Sequence, residues 1–397
     1  MKILLGGVPL GCNNIGDEAI VACVVGLLRR LFPDVELTVC TRDQTGTASL
    51  LNVRTAPLYG FGNDPDLPGF TDLVRLHDAY LWFGATGLSD YPETALRLLR
   101  AARAAGVPAI VWGVGMNSEL NPVFYRAAGR RRRLLTLLSR CTFGLADFVA
   151  VYENFLLRRT RRRIARELSA CALVVLRDAP SVREAARCGF ASAVEGADTA
   201  ILQSSAAPPL PELPGVTRIG FCISEQSVVR GFAAVSELWD ELLEDPARHI
   251  VLIPMNPVTD RRLMLELASS CRHRDRIECL ESADPAVVQA CAGQCRVLVS
   301  SRLHLLILGA NAGTPGIGIE RGSKIANWLA NFGETPAGTV EACDFAGVRD
   351  RIRRFCAVPD TEARAGVRQV TAEMRRRLDA ASELLRRTLA DCARPRK

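Results

Sequence analysis

The chain has 397 residues, 48% hydrophobic and 23% charged, a length and balance that suit two or three globular domains with ample core. Disordered chains, collagen-like repeats and small disulfide-stapled scaffolds are excluded. The formal charge of +7 is held unevenly, because residues 126–166 carry twelve arginines against only Asp147 and Glu153, and the rest of the chain is mildly acidic. Lysine is scarce: Lys2, Lys324 and Lys397 are the only three among 50 basic residues.

Short apolar runs alternate with helical patterns, which predicts parallel sheets covered by helices. Lys2–Gly7 reads as the first strand, with no signal sequence ahead of it. A helix over Asp17–Phe32 follows, apolar at Ile20, Cys23, Val24, Leu27 and Leu31. Further strands are expected at Glu36–Thr41, Ala79–Gly84, Ala109–Gly113 and Ala172–Leu176. Gln203–Gly215 holds four prolines and no apolar period, and marks a linker. The alternation then restarts, with strands at Arg218–Ile223, His249–Pro254, Arg276–Leu280, Val297–Ser300 and Gly316–Ile319. Helices fit Val228–Glu244, Asp260–Ser270, Pro285–Gly293, His304–Ala312 and Ser323–Phe332, and a long charged amphipathic helix fits Asp360–Cys392. The expected architecture is α/β, two Rossmann-like doubly wound domains facing a cleft, with a long C-terminal helix. The expected division is 1–205, a linker at 206–215, a second domain at 216–345 and a helical tail at 346–397.

The fourteen cysteines form no CxxC pair and there are only four histidines, so no metal site is expected and free thiols in a reducing cytosol are the expectation. No apolar run is long enough to span a membrane.

Three stretches carry candidate chemistry. The loop Gly6–Glu18 after the first strand is neither a dinucleotide fingerprint nor a phosphate-binding P-loop. Asn14 and Asp17 stand at the mouth of the next helix, where Asp17 either caps that helix or faces a ligand. Ser300-Ser301-Arg302-Leu303-His304 lies at a strand end. If extended, it points Arg302 and His304 the same way, suited to a phosphate or carboxylate; the alternative is a surface arginine and a satisfied core histidine. Glu320-Arg321-Gly322-Ser323-Lys324 follows another strand, and Lys324 is a lysine where this composition otherwise uses arginine, as a compact charge on phosphate would require. Arg177, Asp178 and Asp198 also sit at expected strand ends, as ligand contacts or structural ion pairs.

Within 126–166 apolar residues recur at helical spacing, among them Leu134, Leu137, Leu138, Phe148, Tyr152 and Phe155, with Gly144 as the expected break. Such a basic amphipathic pattern suits an anionic membrane surface or a pair of core-packed helices with solvated ends. Nucleic acid is not expected, since no aromatic interleaving or groove-reading motif accompanies the arginines.

Together these stretches resemble the polysaccharide pyruvyl transferase family. The resemblance rests on Asn14-Ile15-Gly16-Asp17-Glu18-Ala19-Ile20, Leu176-Arg177-Asp178, Asp198-Thr199-Ala200, Ser301-Arg302-Leu303-His304 and Gly313-Thr314-Pro315 with Lys324. Gly84-Ala85-Thr86-Gly87-Leu88, Gly106-Val107-Pro108 and Gly113-Val114-Gly115 resemble the family's central loop. It implies a GT-B-like fold and transfer of the pyruvyl group of phosphoenolpyruvate onto two hydroxyls of a sugar in a cell-surface glycan or its precursor. It implies no cofactor beyond that donor substrate. Arg302 and Lys324, with Ser301 and Ser323, would bind the donor, on the C-terminal side. His304 would act as general acid or phosphate ligand, and Asp17, from the N-terminal side, would orient or deprotonate the acceptor. Asn14, Gly16, Glu18, Arg177, Asp178, Asp198, Glu320 and Arg321 would contact the acceptor or hold the residues that do. The acceptor is expected to be a sugar or glycan, free or lipid-linked, and the enzyme cytoplasmic, with peripheral contact at the inner membrane face through 126–166. Ala85-Thr86 replace glycines common in the family's loop, and Arg321 replaces a common tyrosine; the extra arginine points to a more anionic ligand. A nucleotide-sugar glycosyltransferase and a non-catalytic glycan-binding or scaffolding protein on the same fold are the competing readings.

Overall fold

The computed structural model describes residues 1–61, 67–118, 120–143, 145–224 and 233–393. Its strands are β1 (Lys2–Gly6), β2 (Glu36–Cys40), β3 (Arg54–Ala56), β4 (Ala79–Phe83), β5 (Ala109–Val114), β6 (Leu173–Leu176), β7 (Val194–Glu195), β8 (Thr217–Cys222), β9 (Arg248–Leu252), β10 (Ile277–Cys279), β11 (Val297–Ser300) and β12 (Gly316–Gly318). A seven-stranded sheet has the order β3-β2-β1-β4-β5-β6-β7 and a five-stranded sheet the order β10-β9-β8-β11-β12. Parallel pairing runs through both, as in Leu5 opposite Leu81, Trp82 opposite Val111 and Val299 opposite Phe221. Central strands are buried at every residue, Ala-Tyr-Leu-Trp-Phe in β4 and Ala-Ile-Val-Trp-Gly-Val in β5. Helices covering both faces of a parallel sheet leave no solvated side, so these strands read as unbroken apolar runs.

Every strand anticipated from an apolar run is present within a residue or two. Two were not anticipated. β3 and β7 are three and two residues long, Arg-Thr-Ala and Val-Glu, too short and too polar to show an apolar run. Among helices, Pro285–Gly293 and Asp360–Cys392 match their expected bounds, and Ile15–Leu31 begins two residues earlier because Asn14 caps it. The expected helix 228–244 is seen as Ala233–Leu242, and its first residues lie outside those described. The basic segment forms two helices, Gly129–Cys141 and Phe148–Ser169; the expected break at Gly144 lies outside the described residues.

The chain separates into two compact units. The first comprises Met1–Val8, Leu58–Glu195 and Leu384–Lys397. The second comprises Pro9–Pro57 and Gly196–Glu383, so Asp17 and His304 belong to the same unit. The core of the second unit is built on β8, β9 and β11 with Trp239, Leu242, Met264 and Ile352 packed around them.

In the first unit, Ala85 follows β4 with a φ of 58°. This left-handed conformation costs an alanine about 1 kcal/mol or more and a glycine almost nothing. Ala85→Gly should therefore raise unfolding stability by about 0.5–1 kcal/mol. Urea denaturation checks this, and a lower stability would contradict the backbone conformation.

Candidate active site

In the second unit the site is built on the N-terminus of helix Ile15–Leu31. Asn14 caps the helix, its side chain accepting from the Gly16 amide at 3.3 Å, and its Nδ2 donates to Asp17 Oδ2 at 2.7 Å. The Ile15 amide donates to the carbonyl of Met255 at 3.1 Å, which anchors the helix start near the end of β9. Glu18 turns back and accepts from the Gly11 amide at 3.0 Å, closing the preceding loop. Burial raises the Glu18 pKa, and that backbone bond opposes the rise.

Gly16 is where the imidazole of His304 comes closest. A Cβ on Gly16 would lie 2.1 Å from His304 Nδ1 and 2.4 Å from its Cγ, so no side chain fits there. On the other side of the ring, Nε2 lies 3.6 Å from Asp198 Oδ2. Asp198 is buried and uses Oδ1 to cap the short turn Thr199–Leu202, accepting from the Ala200 amide at 3.0 Å. One carboxylate therefore both shapes the backbone and faces the histidine.

Asp17 is 5% exposed. Burial raises its pKa above the usual 3.8; His304, the Asn14 hydrogen bond and Lys324 pull it down, and the Asp198 charge pushes it up. Burial prevails, and Asp17 titrates closer to neutrality than an exposed aspartate. Lys324 opens the helix Lys324–Leu329, with Ser323 at its cap position. The structure thus brings together Asn14, Gly16, Asp17, Asp198 and His304, with Lys324 in electrostatic reach of Asp17.

Arg302 takes a different partner from His304. The helix Leu303–Asn311 begins directly after it, so the segment is not extended. The Arg302 guanidinium donates to Asp260 through Nε at 3.0 Å and Nη2 at 2.9 Å, with side chains 11% and 0% exposed. Asp260 also accepts from the Asn256 amide at 3.0 Å. Nearby polar groups tie the strand ends together: Ser301 Oγ accepts from the Ser224 amide at 2.9 Å, and Arg321 Nη1 donates to Ser224 Oγ at 3.1 Å. Glu320 is bound through its backbone to Gly338 and Val340, and partial burial raises its carboxyl pKa. Asp260 was missed in the sequence because an aspartate in a helix's first turn is indistinguishable from one that merely favours the helix dipole.

The remaining candidates, Arg177 and Asp178, lie in the first unit. Arg177 is buried over Gly115, where a Cβ would stand 2.5 Å from Nη2, and its Nε donates to Asp178 at 3.2 Å. Asp178 caps the helix Ala179–Cys188 through the Ser181 amide at 2.8 Å. At the neighbouring strand ends, Asp90 accepts from Thr86 Oγ1 and from Asn117 Nδ2, the latter at 2.7 Å. Ser89 Oγ accepts from the Asn117 amide at 3.0 Å. This polar group was also missed, although an acid following Gly-Ala-Thr-Gly-Leu-Ser was a usable signal.

Among the described residues no group of three or more His, Cys, Asp or Glu could hold a metal ion. An apolar recess of about 380 Å³ lined by Leu306, Trp328, Phe332 and Val367 contains none of the titratable residues above.

Two Rossmann-like parallel sheets with a long C-terminal helix give the molecule a GT-B-like fold. It is similar to the UDP-GlcNAc 2-epimerase from Neisseria meningitidis bound to UDP-GlcNAc, at 13% identity and a TM-score of 0.61 over 98% of this chain and 100% of that one. It is also similar to the glycotransferase of kitacinnamycin (12%, 0.57, 98% of each chain) and to CalG4, the calicheamicin glycosyltransferase (13%, 0.52, 99% of each). At these identities the likeness shows the fold alone. The polysaccharide pyruvyl transferase family model matches residues 14–323, from the Asn14 cap to Ser323, and the chain belongs to that family of transferases. No curated protein matches the sequence.

Two stability outcomes follow from the site. Asp260→Ala removes the carboxylate that holds both prongs of the buried Arg302 guanidinium and should cost up to about 3–5 kcal/mol. Asp17→Asn should stabilise the fold, because a carboxyl with a raised folded pKa loses stability as pH rises through that pKa. The gain should be full above the folded pKa of Asp17 and vanish below the unfolded value. Thermal unfolding of wild type and variant across pH checks this, and a variant less stable at high pH would contradict it.

Proposed function

We propose that the protein transfers the pyruvyl group of phosphoenolpyruvate onto two hydroxyls of one sugar of a glycan, forming a cyclic ketal and releasing phosphate. The observation that supports this reading is the grouping of buried Asp17 and Asp198 with the partly buried His304, and Lys324 in electrostatic reach of Asp17. It combines a proton-transfer residue, two carboxylates and a compact cation, and the reaction needs all three functions.

One proton is added to the donor's methylene carbon, which becomes a methyl group. The first sugar hydroxyl bonds to the adjacent carbon and gives up its proton. The second hydroxyl bonds to the same carbon while the bond from that carbon to the phosphate oxygen breaks. Of the two hydroxyl protons, one balances the proton gained at carbon and the other leaves with phosphate. Two carbon–oxygen bonds form, one breaks, and nothing is oxidised or reduced.

In this reading His304 supplies the proton, an imidazole being able to carry one on either ring nitrogen and release it to the donor. Asp198 orients the ring and Gly16 lets it approach. Asp17, with a pKa raised by burial, is a stronger base than an exposed aspartate and takes the proton of the attacking hydroxyl. Lys324 meets the phosphate as a point charge. Arg302, its guanidinium oriented by Asp260, meets the carboxylate, and Ser301, Ser323 and Arg321 complete the anion-binding loops.

The test is acceptor-dependent phosphate release from phosphoenolpyruvate across a panel of glycans. His304→Ala and Asp17→Asn should each lower kcat by roughly 10²–10⁴-fold. Lys324→Arg, which keeps the charge and changes its shape, should lower kcat/KM about tenfold or more. Transfer of a hexose from a nucleotide sugar, with no phosphate released from phosphoenolpyruvate, would replace this reading with a glycosyltransferase.

A further inference from the structure

We infer that the helical pair Gly129–Cys141 and Phe148–Ser169 is a docking surface for a membrane rich in anionic phospholipid. The inference goes beyond the proposed reaction and does not depend on it.

The first helix of the pair has no buried residue, and the second is buried only at Thr160, Ile164, Glu167 and Leu168, near its C-terminal end. The apolar positions that helical spacing would assign to a core are in water instead. Leu134 and Leu137 on one helix and Val151 and Phe155 on the other are more than half exposed. Between the helices Phe143 is 96% and Leu145 91% exposed. Phe143 also holds a φ of 52°, a conformation unfavourable for a bulky side chain. A core-packed pair of helices, the other reading of this sequence, does not describe such a surface.

The charges select the occupant. Arg161, Arg163 and Arg166 pair with Glu184, Glu93 and Glu167. Among the described residues, Arg130, Arg132, Arg133, Arg158, Arg159 and Arg162 form no ion pair. Arg158, Arg159 and Arg162 line, with Phe155, an open recess of about 770 Å³. Of the acids on and between the helices, Glu167 takes up Arg166, and Asp147 and Glu153 serve backbone amides, those of Ala150 and Ala127. A second copy of the chain would bring these cations against themselves, and nucleic acid would leave the leucines and phenylalanines without an apolar partner. An anionic bilayer satisfies both, with phosphates for the arginines and acyl chains for Phe143 and Leu145. No helix among the described residues is long and apolar enough to cross the membrane, so the contact is made from its surface.

The experiment is flotation of the full chain with vesicles of phosphatidylcholine alone or mixed with phosphatidylglycerol, at low and high salt. The protein should float with the mixed vesicles only, and high salt should weaken the binding. Each arginine near the surface contributes about fivefold in affinity, so Arg158→Ala, Arg159→Ala and Arg162→Ala combined should cost roughly a hundredfold. Phe143→Ser with Leu145→Ser should cost about tenfold or more, even with all arginines present. All these side chains are partly or fully exposed, so circular dichroism and thermal unfolding of both variants should match the wild type. Equal binding to phosphatidylcholine, or undiminished binding by either variant, would overturn the proposal. So would a wild-type dimer that Phe143→Ser with Leu145→Ser converts to monomer, or retention on RNA with no binding to vesicles.

Discussion

The imidazole of His304 rests on the backbone of Gly16 with no room for a Cβ between them, and the second unit's chemistry is organised by that approach. It draws the start of one helix, Ile15–Leu31, against the first turn of another, Leu303–Asn311. Asp17 and Asn14 arrive with the first helix and His304 with the second. Asp198 then enters from the short turn it caps. Residues far apart in the chain share a site because one glycine permits contact at backbone distance. The neighbouring strand ends are secured by a second constraint, the two-pronged pair of Arg302 with Asp260, whose fixed geometry leaves little freedom to the guanidinium.

Burial sets the acidity of Asp17 as well as the shape of the candidate site. A carboxylate removed from water favours its proton, and at Asp17 this outweighs the attraction of His304, Asn14 and Lys324. The residue is held in a state that costs stability, a pattern that marks candidate functional sites. Asp260 serves the opposite purpose: it is buried against an arginine that matches both of its oxygens. Two buried aspartates in one unit thus differ in role because their partners differ.

Most of the fold was legible because parallel strands buried on both faces leave long apolar runs, and helix ends leave caps such as Asn14 and Asp178. β3 and β7 escaped because two or three residues carry no period. In the site, Asp17, His304 and Lys324 stood out as polar residues at strand-to-helix turns, and Lys324 also by the rarity of lysine. The partners did not. Asp260 lies 42 residues from Arg302, and no local pattern announces such a pair. The arrangement of Arg302 and His304 was also beyond reach, since it depends on whether the helix starts before or after Leu303. For the basic segment, spacing alone could not separate a core-packed helix pair from an exposed one; solvent exposure does.

In the proposed reaction this site adds a proton to the methylene carbon of phosphoenolpyruvate while joining the adjacent carbon to a sugar. Running the reaction in deuterium oxide and examining the glycan product by mass spectrometry and NMR tests it most directly. The expected product is a cyclic ketal whose methyl group carries one deuterium taken from solvent, with one phosphate released per ketal formed. A product that retains the methylene group undeuterated, or one that has gained a hexose, would contradict it.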